Sequence, residues 1–350
     1  MKRAVTAIAL LVCMIFICSA CGNSSVPVVD LGSYLNYVQT KNKKDLNATA
    51  NAKASFANED EIYYLVGMHI ILPYWQDHKK GLEVAAAELG VKYVFTGESG
   101  NDAARQVNIF NQVVLKKPSG ILVSPIDPEM MVKPINDAID QGIPVICVDT
   151  DSPNSKRLSY FGTDNYTAGY KGAEILSRAI GYSGEVGILT SPKIYCLDQR
   201  QKGFEDYIKQ NCPNIQIVSV MNDKADPSTA ANVTAQMLNE KPILDGIFGI
   251  DAASGVGAAI ALRQYGKLGK IKIVAFDKDS SVLELVEQDI IEATMVQRTF
   301  TMSYYGLKFL YDLNHQNVKM ASDMNGINPL PPVVDTGIIA VGKDEAYRFR

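Results

Sequence analysis

Short polar side chains repeatedly follow apolar segments in this chain of 350 residues. The residues in this position are Asp127, Asp149, Asp251, Asp277, Gln297 and Arg298. If the apolar segments are parallel strands, these side chains lie beyond their carboxyl ends, where open α/β sheets bind ligands. Each residue taken singly could instead be a helix N-cap, and Asp127, directly before Pro128, is best explained that way. The set as a whole predicts a polar ligand site at one edge of a sheet.

Aromatic residues accompany these polar groups. Tyr74 and Trp75 come directly after the first predicted strand, and Trp75 is the only tryptophan of the chain. Phe276 directly precedes Asp277. Carboxylates accept hydrogen bonds from hydroxyl groups, and an aromatic ring packs well against the C–H face of a sugar. This combination favours a sugar as the ligand, and the alternative is that Tyr74 and Phe276 are core residues.

The motifs of several common enzyme classes are absent from the sequence. It contains no Walker A phosphate loop, no Gly-rich dinucleotide fingerprint, no zinc-protease motif and no G-x-S-x-G nucleophile elbow. His69, His78 and His315 are too far apart to form a metal-ligand motif. His69, at the end of a predicted strand, either contributes to a site or packs beside one. We therefore predict no catalytic residues, no metal site and no cofactor.

Short β-branched segments alternate with longer segments of helical periodicity from Ile62 onward. The predicted strands are Ile62–Met68, Lys92–Phe95, Gly120–Val123, Val145–Val148, Tyr160–Gly162, Glu185–Leu189, Gln216–Val220, Gly246–Phe248, Lys272–Phe276, Ala293–Val296 and a last one within Val333–Val341. The predicted helices are Gln76–Leu89, Ala103–Leu115, Pro128–Gln141, Thr167–Ile180, Arg200–Gln210, Pro227–Leu238, Ala253–Tyr265 and Phe300–Leu313. Several strands are apolar throughout, which is typical of parallel sheets covered on both faces. The alternation predicts a doubly wound α/β fold.

The first 21 residues have the pattern of an export signal. Lys2 and Arg3 precede the uncharged segment Ala4–Ile17, and small residues lead to Cys21. The segment resembles a bacterial lipoprotein signal in which Cys21 is lipidated, although Cys18 stands where leucine is preferred. The alternative is an uncleaved anchor, for which the apolar stretch is short. Both predictions place the rest of the chain outside the membrane and attached to it.

Charge and cysteine content narrow the class of protein further. Removing residues 1–20 takes away two basic residues and lowers the formal charge from −4 to −6, which disfavours nucleic acid as a partner. The remaining length predicts two domains. Cys147 lies in an apolar segment and is expected in the core. Cys196 and Cys212 either form a disulfide or, as we favour, are free thiols.

The polar residues belong to a series of short motifs spread over residues 61–342. These motifs are Pro73-Tyr74-Trp75, Gly120–Pro125, Gly142–Val145 with Asp149, Gly162–Asn165 with Ala168-Gly169, Arg200 before Gly203-Phe204, Asp245–Phe248 and Val274–Asp277. Together they resemble the sugar-binding proteins of bacterial uptake systems, in the ribose- and galactose-binding group. The resemblance implies a type I periplasmic-binding-protein fold, with two similar doubly wound parallel-sheet lobes, a three-segment hinge and a ligand in the cleft.

The resemblance also implies a ligand site built from both lobes. Carried over by position, the site residues are Tyr74, Trp75, Asp149, Thr150, Arg200, Asp251, Phe276, Asp277 and Gln297. The chain departs from ribose-binding relatives at Leu72, where they have asparagine, and at Thr150, where they have arginine. It departs again at Asp251, where many relatives have asparagine. These departures disfavour ribose and leave a sugar ligand, with xylose or another pentose as the first expectation.

The same resemblance divides the chain into segments. We expect a signal peptide at 1–20 and a polar tether at 21–60, which is poor in large apolar residues. The expected N-terminal lobe is 61–162 plus 298–333, and the expected C-terminal lobe is 163–297 plus 334–345. The three crossings between lobes are expected near Gly162, Gln297–Thr299 and Pro332–Val334.

The predicted function is that of an extracytoplasmic receptor that delivers a monosaccharide to an ABC-type permease. An alternative is a sensor, in which the same sugar-binding module signals through a membrane histidine kinase; the long tether mildly favours it. A ligand of the autoinducer-2 type is a further alternative. So is a sugar-acting enzyme with Asp149 and Asp277 as an acid–base pair.

Overall fold

The computed structural model describes residues 61–317 and 330–350. The predicted signal, the lipidation site Cys21 and the tether lie outside the described residues. The first elements are β1 (Ile62–Gly67), α1 (Trp75–Leu89), β2 (Lys92–Gly97), α2 (Ala103–Val114), β3 (Gly120–Val123), α3 (Pro128–Asp140), β4 (Val145–Val148) and β5 (Tyr160–Gly162). The next are α4 (Asn165–Ala179), β6 (Gly184–Thr190), α5 (Tyr195–Asn211), β7 (Ile215–Asn222), α6 (Pro227–Glu240), β8 (Leu244–Gly249), α7 (Ser254–Gln264) and β9 (Lys272–Phe276). The last are α8 (Ser280–Glu287), β10 (Ala293–Gln297), α9 (Thr299–Asn314), β11 (Val333–Asp335), β12 (Ile338–Val341) and a short 3₁₀ helix (Ala346–Phe349).

Two six-stranded sheets organise these elements, and we call each sheet with its covering helices a lobe. The first sheet has the strand order β11-β5-β4-β3-β1-β2, and its pairings are parallel. The second has the order β12-β10-β9-β8-β6-β7 and is parallel except for the antiparallel pair β10–β12. The prediction of a doubly wound α/β fold with two similar lobes is confirmed.

Both faces of each sheet are buried, as the apolar strands predicted. In β3, Leu122 packs against α1 and α9, whereas Ile121 and Val123 pack on the other face against α2 and α3. The second sheet likewise has a separate apolar cluster on each face. A strand that is covered on both faces has no solvent-exposed side to accommodate polar residues. The polar site residues therefore lie at or beyond the carboxyl ends of the strands, in the loops or in the helices that follow them.

Each predicted strand and helix overlaps an observed one, but two details differ. Helix α8, which follows Asp277, was not predicted, because eight residues give too short a periodic pattern. The predicted last strand within Val333–Val341 is wrong, since this segment forms two strands in different sheets. A turn at Gly337, which has a left-handed φ of 82°, separates them.

Three short passages connect the lobes. They follow β5, follow β10 and join β11 to β12. The first and third are bonded together, because Asp164 N–H donates to the Asp335 carboxylate (3.0 Å) and Thr336 N–H donates to Gly162 C=O (2.8 Å). Since Val333–Asp335 pairs with β5, the third passage lies a few residues after its expected position near Pro332–Val334.

The described residues contain neither a disulfide bond nor a helix that could span a membrane. Cys147, Cys196 and Cys212 are buried free thiols, so a Cys196–Cys212 disulfide is absent from this part of the chain. Within 61–317 and 330–350, no helix has both the length and the apolar character needed to cross a bilayer. The N-cap predicted at Asp127 is confirmed, because its carboxylate accepts from the N–H groups of Glu129 and Met130 at 2.9 Å each.

Candidate functional site

A cavity lies at the carboxyl ends of both sheets, and residues of both lobes line it. Its wall combines apolar side chains with a few charged and polar ones, as is typical of small-molecule sites. The predicted site residues on its wall are Tyr74, Trp75, Asp149, Arg200, Asp251, Asp277 and Gln297. Parallel strands end at a common edge, which is why residues so distant in the sequence meet here.

Asp149 is held rigidly at the end of β4. Its backbone has a left-handed φ of 68°, and its N–H donates to Phe161 C=O at 3.1 Å. The buried carboxylate accepts hydrogen bonds from the hydroxyl of Tyr74 and from the hydroxyl of Ser124 (3.1 Å). The protein itself therefore already satisfies part of the acceptor capacity of this carboxylate.

Tyr74 connects the two lobes across one side of the cavity. The amide Nε2 of Gln297, in the second sheet, donates to the Tyr74 hydroxyl oxygen (3.1 Å) and to the Asp277 carboxylate (2.9 Å). Thr163, in the first passage, donates its hydroxyl to the Gln297 carbonyl oxygen at 3.0 Å. Burial raises the pKa of Tyr74, so the phenol stays neutral and acts as a donor to Asp149. This network joins the hinge to the ligand cavity.

Arg200 is the buried cation of the site, with 2% of its surface exposed. Its Nε donates to the Asn165 side-chain oxygen (2.8 Å), and one terminal nitrogen donates to Ile250 C=O (2.9 Å). The guanidinium lies 4.1 Å from the centre of the Phe276 ring. These contacts fix the plane of the guanidinium and leave its remaining N–H groups available to a ligand.

The packing of α4 against α5 determines where Arg200 lies. A Cβ atom at Gly169 of α4 would be 1.9 Å from the backbone oxygen of Arg200. Only glycine permits this approach, since any side chain would push α5 away. The paired glycines, Gly169 and Gly203, therefore place the Arg200 backbone at the depth from which its side chain reaches the cavity.

Asp277 repeats in the second lobe the geometry of Asp149 in the first. It follows β9, has a left-handed φ of 69°, and donates its N–H to Met295 C=O at 2.9 Å. Burial raises the pKa of Asp277 to about 7, while the Arg200 charge and the Gln297 hydrogen bond act in the opposite direction. The two aspartates thus come from corresponding positions of two similar lobes.

Asp251 lines the cavity and has a carboxylate oxygen that the described residues leave unpaired. Its Oδ1 accepts from the N–H groups of Ala253 (2.8 Å) and Ser254 (2.9 Å) at the start of α7. Its Oδ2 is buried and has no hydrogen-bond partner among the described residues. An unpaired buried carboxylate oxygen is costly, and a ligand hydroxyl donated to it removes that cost.

His69 is a cavity residue that the predicted site set did not include. It lies in the loop after β1, and its Nε2 is buried without a hydrogen-bond partner in the part of the chain described here. Burial lowers the pKa of His69, although a hydrogen bond with the Asn101 side chain and the Asp251 charge partly oppose the shift. The ring is therefore neutral near neutral pH and offers one nitrogen to a ligand. Its position at the end of a strand was the available signal in the sequence.

Two predicted residues lie off the cavity wall. Phe276 is fully buried beneath the Arg200 guanidinium, so it supports a cavity residue from behind. Thr150 is fully buried and is absent from the lining. Trp75 does reach the wall, but its ring is 1% exposed and packs 4.6 Å from the ring centre of His78.

Supporting residues were missed because they act through others. Asn165 holds Arg200, Thr163 holds Gln297, and Ser124 bonds Asp149. Two of them, Thr163 and Asn165, belong to the Gly162–Asn165 motif, whose sequence alone does not reveal this supporting role. Among residues 61–317 and 330–350, no group of three or more His, Cys, Asp or Glu side chains is placed to hold a metal ion.

An ion pair closes the rim beside the cavity. Lys278, which follows β9, lies 2.6 Å from the Asp77 carboxylate at the start of α1. The pair joins the two lobes on the side where Tyr74 and Gln297 also meet. Both side chains are about one-third exposed, at 36% and 38%. The lobes therefore approach each other closely in this structure.

Comparison with known proteins agrees with the fold and the cavity. The periplasmic binding protein domain matches residues 64–316. The structure resembles AraP, an arabinose binding protein from Geobacillus stearothermophilus, with a TM-score of 0.72 and 36% identity over 83% of this chain and 99% of AraP. It also resembles the XylFII–LytSN complex, with a TM-score of 0.74 and 28% identity over 83% of this chain and 100% of that chain.

Sequence similarity extends to a sugar-binding relative. The D-allose-binding periplasmic protein of Escherichia coli (strain K12) is 27% identical over 249 residues, which cover 69% of this chain and 80% of the relative. The matched proteins are binding proteins and not enzymes, which confirms the prediction that this chain is not an enzyme. Because the domain match spans most of the described residues, from the first sheet through α9, the chain belongs to the periplasmic binding protein family.

Proposed function

We propose that this chain is an extracytoplasmic receptor that binds one monosaccharide, with a pentose such as xylose or arabinose as the first candidate, in the cavity between its lobes. The observation that carries the proposal is the wall of polar groups from both lobes, which includes Arg200 and Asp251, whose Oδ2 has no hydrogen-bond partner among the described residues. A ligand that contacts both lobes at once shifts the equilibrium toward the closed form.

The polar groups of the wall suit a polyhydroxy ligand. Arg200 offers donors, Asp251 Oδ2 offers an acceptor, and the neutral His69 ring adds a nitrogen. Sugar hydroxyls both donate and accept, so they can satisfy all three groups. Met68, Leu72, Ile194 and Leu197 supply apolar wall between them. Apolar walls with a few placed polar groups are typical of sites that orient a small ligand.

The likeness to AraP supports a pentose as the first candidate. AraP is an arabinose binding protein, and Leu72, where ribose-binding relatives have asparagine, disfavours ribose among the pentoses. The allose-binding relative makes a hexose the natural competitor. Because Leu72 lines the cavity, an apolar side chain replaces a hydrogen-bonding one at this point of the wall. Allose and galactose therefore belong in any ligand panel beside xylose, arabinose and ribose.

Delivery of the sugar to an ABC-type permease is the function we propose for the loaded receptor. The family match and the likeness to sugar-transport binding proteins support it. A second candidate is a sensor that signals through a membrane histidine kinase. The XylFII–LytSN complex favours this candidate, since it shows that a structural neighbour of this chain binds a protein partner.

Attachment to the membrane completes the proposal. We propose that residues 1–20 are removed as a signal, that Cys21 is lipidated, and that 21–60 tether the two lobes. A lipid anchor keeps a captured sugar close to its permease or sensor. Metabolic labelling with a radioactive fatty acid tests this directly, because a Cys21→Ser variant loses the label if Cys21 is the modified residue and keeps it otherwise.

Sugar binding is tested by calorimetry and by tryptophan fluorescence. Trp75 is the only tryptophan and lies on the cavity wall, so its emission reports on ligand entry. The purified mature protein is titrated with D-xylose, L-arabinose, D-ribose, D-allose and D-galactose. We expect saturable binding of at least one pentose. An absence of heat and of fluorescence change across the whole panel contradicts the proposal.

The two partner classes are separated by capture experiments. The sugar-loaded receptor is incubated with the cognate permease in nanodiscs and, in parallel, with the ectodomain of a kinase encoded nearby. Sugar-dependent retention on the permease supports transport, and retention on the ectodomain alone supports sensing.

A further inference from the structure

A second aspartate lies directly behind the ligand-facing Asp251. Asp223 follows β7, is completely buried, and is absent from the cavity wall. Its N–H donates to Thr190 C=O at 2.9 Å, and its Oδ1 accepts from the Ala225 N–H at 3.0 Å. Its other carboxylate oxygen lies 2.5 Å from the hydroxyl oxygen of Ser254. Asp223 therefore belongs to the site without touching the cavity.

One hydroxyl stands between two carboxyl groups in this arrangement. Ser254 Oγ lies 2.5 Å from Asp223 Oδ2 and 2.9 Å from Asp251 Oδ1. A hydroxyl has one proton and can donate to only one of them. If both carboxyl groups were ionised, one of these short contacts would join two oxygen atoms without a proton between them. The geometry calls for one additional proton, on one of the two aspartates.

The surroundings assign that proton to Asp223. Asp251 Oδ1 accepts hydrogen bonds from two backbone N–H groups, whereas the Asp223 carboxyl accepts a hydrogen bond from one. Hydrogen bonds from N–H groups favour the ionised form, so Asp251 is the better anion. Burial and the charge of Asp251 raise the pKa of Asp223 to about 8. Protonated Asp223 then donates to Ser254, and Ser254 donates to Asp251.

We propose that protonated Asp223 is a positioning residue of the ligand site. Through Ser254 it holds Asp251 ionised and oriented, with Oδ2 directed to the cavity, and loss of its proton at alkaline pH weakens ligand binding. This inference rests on the proposed sugar-binding function. The chain of donors runs from Asp223 to Ser254 to Asp251 and ends at a ligand hydroxyl that donates to Asp251 Oδ2.

Other titratable groups lie near Asp223, Ser254 and Asp251, and their contribution to the pH dependence needs a control. The charge of Asp251 acts on Asp223, and His69, in the first lobe, interacts electrostatically with Asp251. On the loop of Asp223 itself, Lys224 is exposed and the exposed Asp226 caps α6. Asp277 is the main competitor, because it lines the same cavity and its pKa is raised to about 7. All of them remain in an Asp223 variant.

Asp223→Asn is the matched variant. An asparagine amide donates to Ser254 and accepts from Ala225 as the protonated acid does, but it cannot lose a proton in this pH range. The pH dependence that Asp223 contributes should therefore vanish, while that of Asp277 and His69 stays. Asp223→Ala removes the donor at every pH and serves as the disrupted comparison.

The experiment measures the dissociation constant by Trp75 fluorescence for the tightest-binding sugar of the panel D-xylose, L-arabinose, D-ribose, D-allose and D-galactose. Between about pH 6 and about pH 9.5, we expect the wild-type constant to rise about tenfold relative to that of Asp223→Asn. Near pH 6 the asparagine variant should bind within about threefold of wild type, and Asp223→Ala about tenfold or more weakly. A constant ratio between wild type and Asp223→Asn across this range overturns the proposal, as does unchanged binding by Asp223→Ala.

A second measurement does not depend on either variant folding. Carbon-13 NMR of wild-type protein labelled at aspartate carboxyl groups should show one buried carboxyl that titrates near pH 8, and Ser254→Ala should shift that titration. The absence of any aspartate titrating above about pH 7.5 overturns the proposal. If no sugar in the panel binds, the proposed function itself fails; if a sugar binds and the pH profiles coincide, only the role of Asp223 fails.

Discussion

The two lobes contribute polar groups to the cavity wall, and these groups differ in whether the protein already satisfies their hydrogen bonds. In the first lobe, the Asp149 carboxylate already accepts hydrogen bonds from the hydroxyl groups of Tyr74 and Ser124. In the second lobe, Asp251 has an oxygen with no hydrogen-bond partner among the described residues, and Arg200 faces the cavity as a buried cation. A group that the protein has satisfied gains less from a ligand than an unpaired one. The second lobe should therefore contribute more binding energy, and the first more of the rigid shape.

This contrast arises on a similar framework. Asp149 and Asp277 both follow strands, both have left-handed backbones, with φ of 68° and 69°, and both donate an N–H to the next strand. The lobes differ in what surrounds these positions. Tyr74 and Ser124 reach Asp149, whereas Arg200 and Gln297 lie near Asp277. Five substitutions test how far the contrast holds, beginning with the largest expected effect.

Arg200→Ala should abolish sugar binding. It removes the buried cation and leaves ligand hydroxyls and the Asn165 oxygen without their donor, at a cost of about 2–5 kcal/mol in binding free energy. Calorimetry measures the loss, and circular dichroism controls for folding. Arg200→Lys, which keeps the charge but loses the planar fork, should be intermediate. Wild-type affinity in Arg200→Ala would show that the second lobe does not dominate.

Asp149→Ala should lower the unfolding free energy of the sugar-free protein, because Asp149 bonds to protein groups as well as facing the ligand cavity. The hydroxyl groups of Tyr74 and Ser124 would lose their buried acceptor, at about 1–3 kcal/mol each. Chemical denaturation of the sugar-free protein measures the change in unfolding free energy. Tyr74→Phe with Asp149→Ala provides a double-mutant cycle, and additive effects would mean that the Tyr74–Asp149 bond contributes nothing.

Asp251→Asn should have the opposite profile, with weaker binding and nearly unchanged stability. Asparagine keeps an oxygen for the N–H groups of Ala253 and Ser254 but replaces the free carboxylate oxygen by a donor. We expect the dissociation constant of the best sugar to rise about tenfold or more, since hydrogen bonds to charged groups contribute about 1.5–3 kcal/mol. Equal affinity and a large loss of stability would reverse the assignment of the two lobes.

His69→Ala should weaken binding by about 0.5–1.5 kcal/mol, the range for a neutral hydrogen bond. His69 is the first-lobe residue whose side chain has a buried unpartnered nitrogen on the cavity wall within the described residues. Fluorescence titration of Trp75 measures the effect, and His69→Gln should restore part of the affinity. An effect larger than that of Asp251→Asn would place the stronger contact in the first lobe.

Asp77→Asn should have the smallest effect. The Asp77–Lys278 ion pair joins the lobes at the rim but is about one-third exposed, so it contributes about 0.2–1 kcal/mol. We expect up to about a threefold increase in the sugar dissociation constant at low salt, and less at high salt because mobile ions screen the pair. Lys80, which pairs with Glu83 on the outer face of α1, offers a control in Lys80→Gln. The same loss in both variants would contradict a specific role of the rim pair.

The fold was predictable because its signals are local. Strands such as VICV are apolar throughout only when both faces are covered, and Asp-Pro pairs mark the starts of α3 and α6. Helix α8 was missed because it is short. The prediction of a single last strand is wrong because the hydrophobic pattern continues through Gly337 while the chain passes from one sheet to the other.

The sequence predicts residues that line the cavity, but it does not predict the residues that support them from behind. Residues that follow strands, such as Arg298 and Asp277, look alike in sequence, yet Arg298 is exposed at the start of α9 and Asp277 is buried in the site. Asp223 and Asn165 act through Ser254 and Arg200, and no spacing in the sequence reveals such contacts. Phe276 was expected on the ligand but supports Arg200, because an inward position on a covered strand lies under the site.

A crystal structure of the protein with its best-binding pentose tests the central claim most directly. The account predicts one sugar enclosed between the lobes, with a hydroxyl donating to Asp251 Oδ2 and another accepting from Arg200. The hydroxyl of Tyr74 should remain on Asp149 in the same crystal. A sugar bound outside this cavity, or one that leaves Asp251 Oδ2 unpaired while displacing Tyr74 from Asp149, would contradict it.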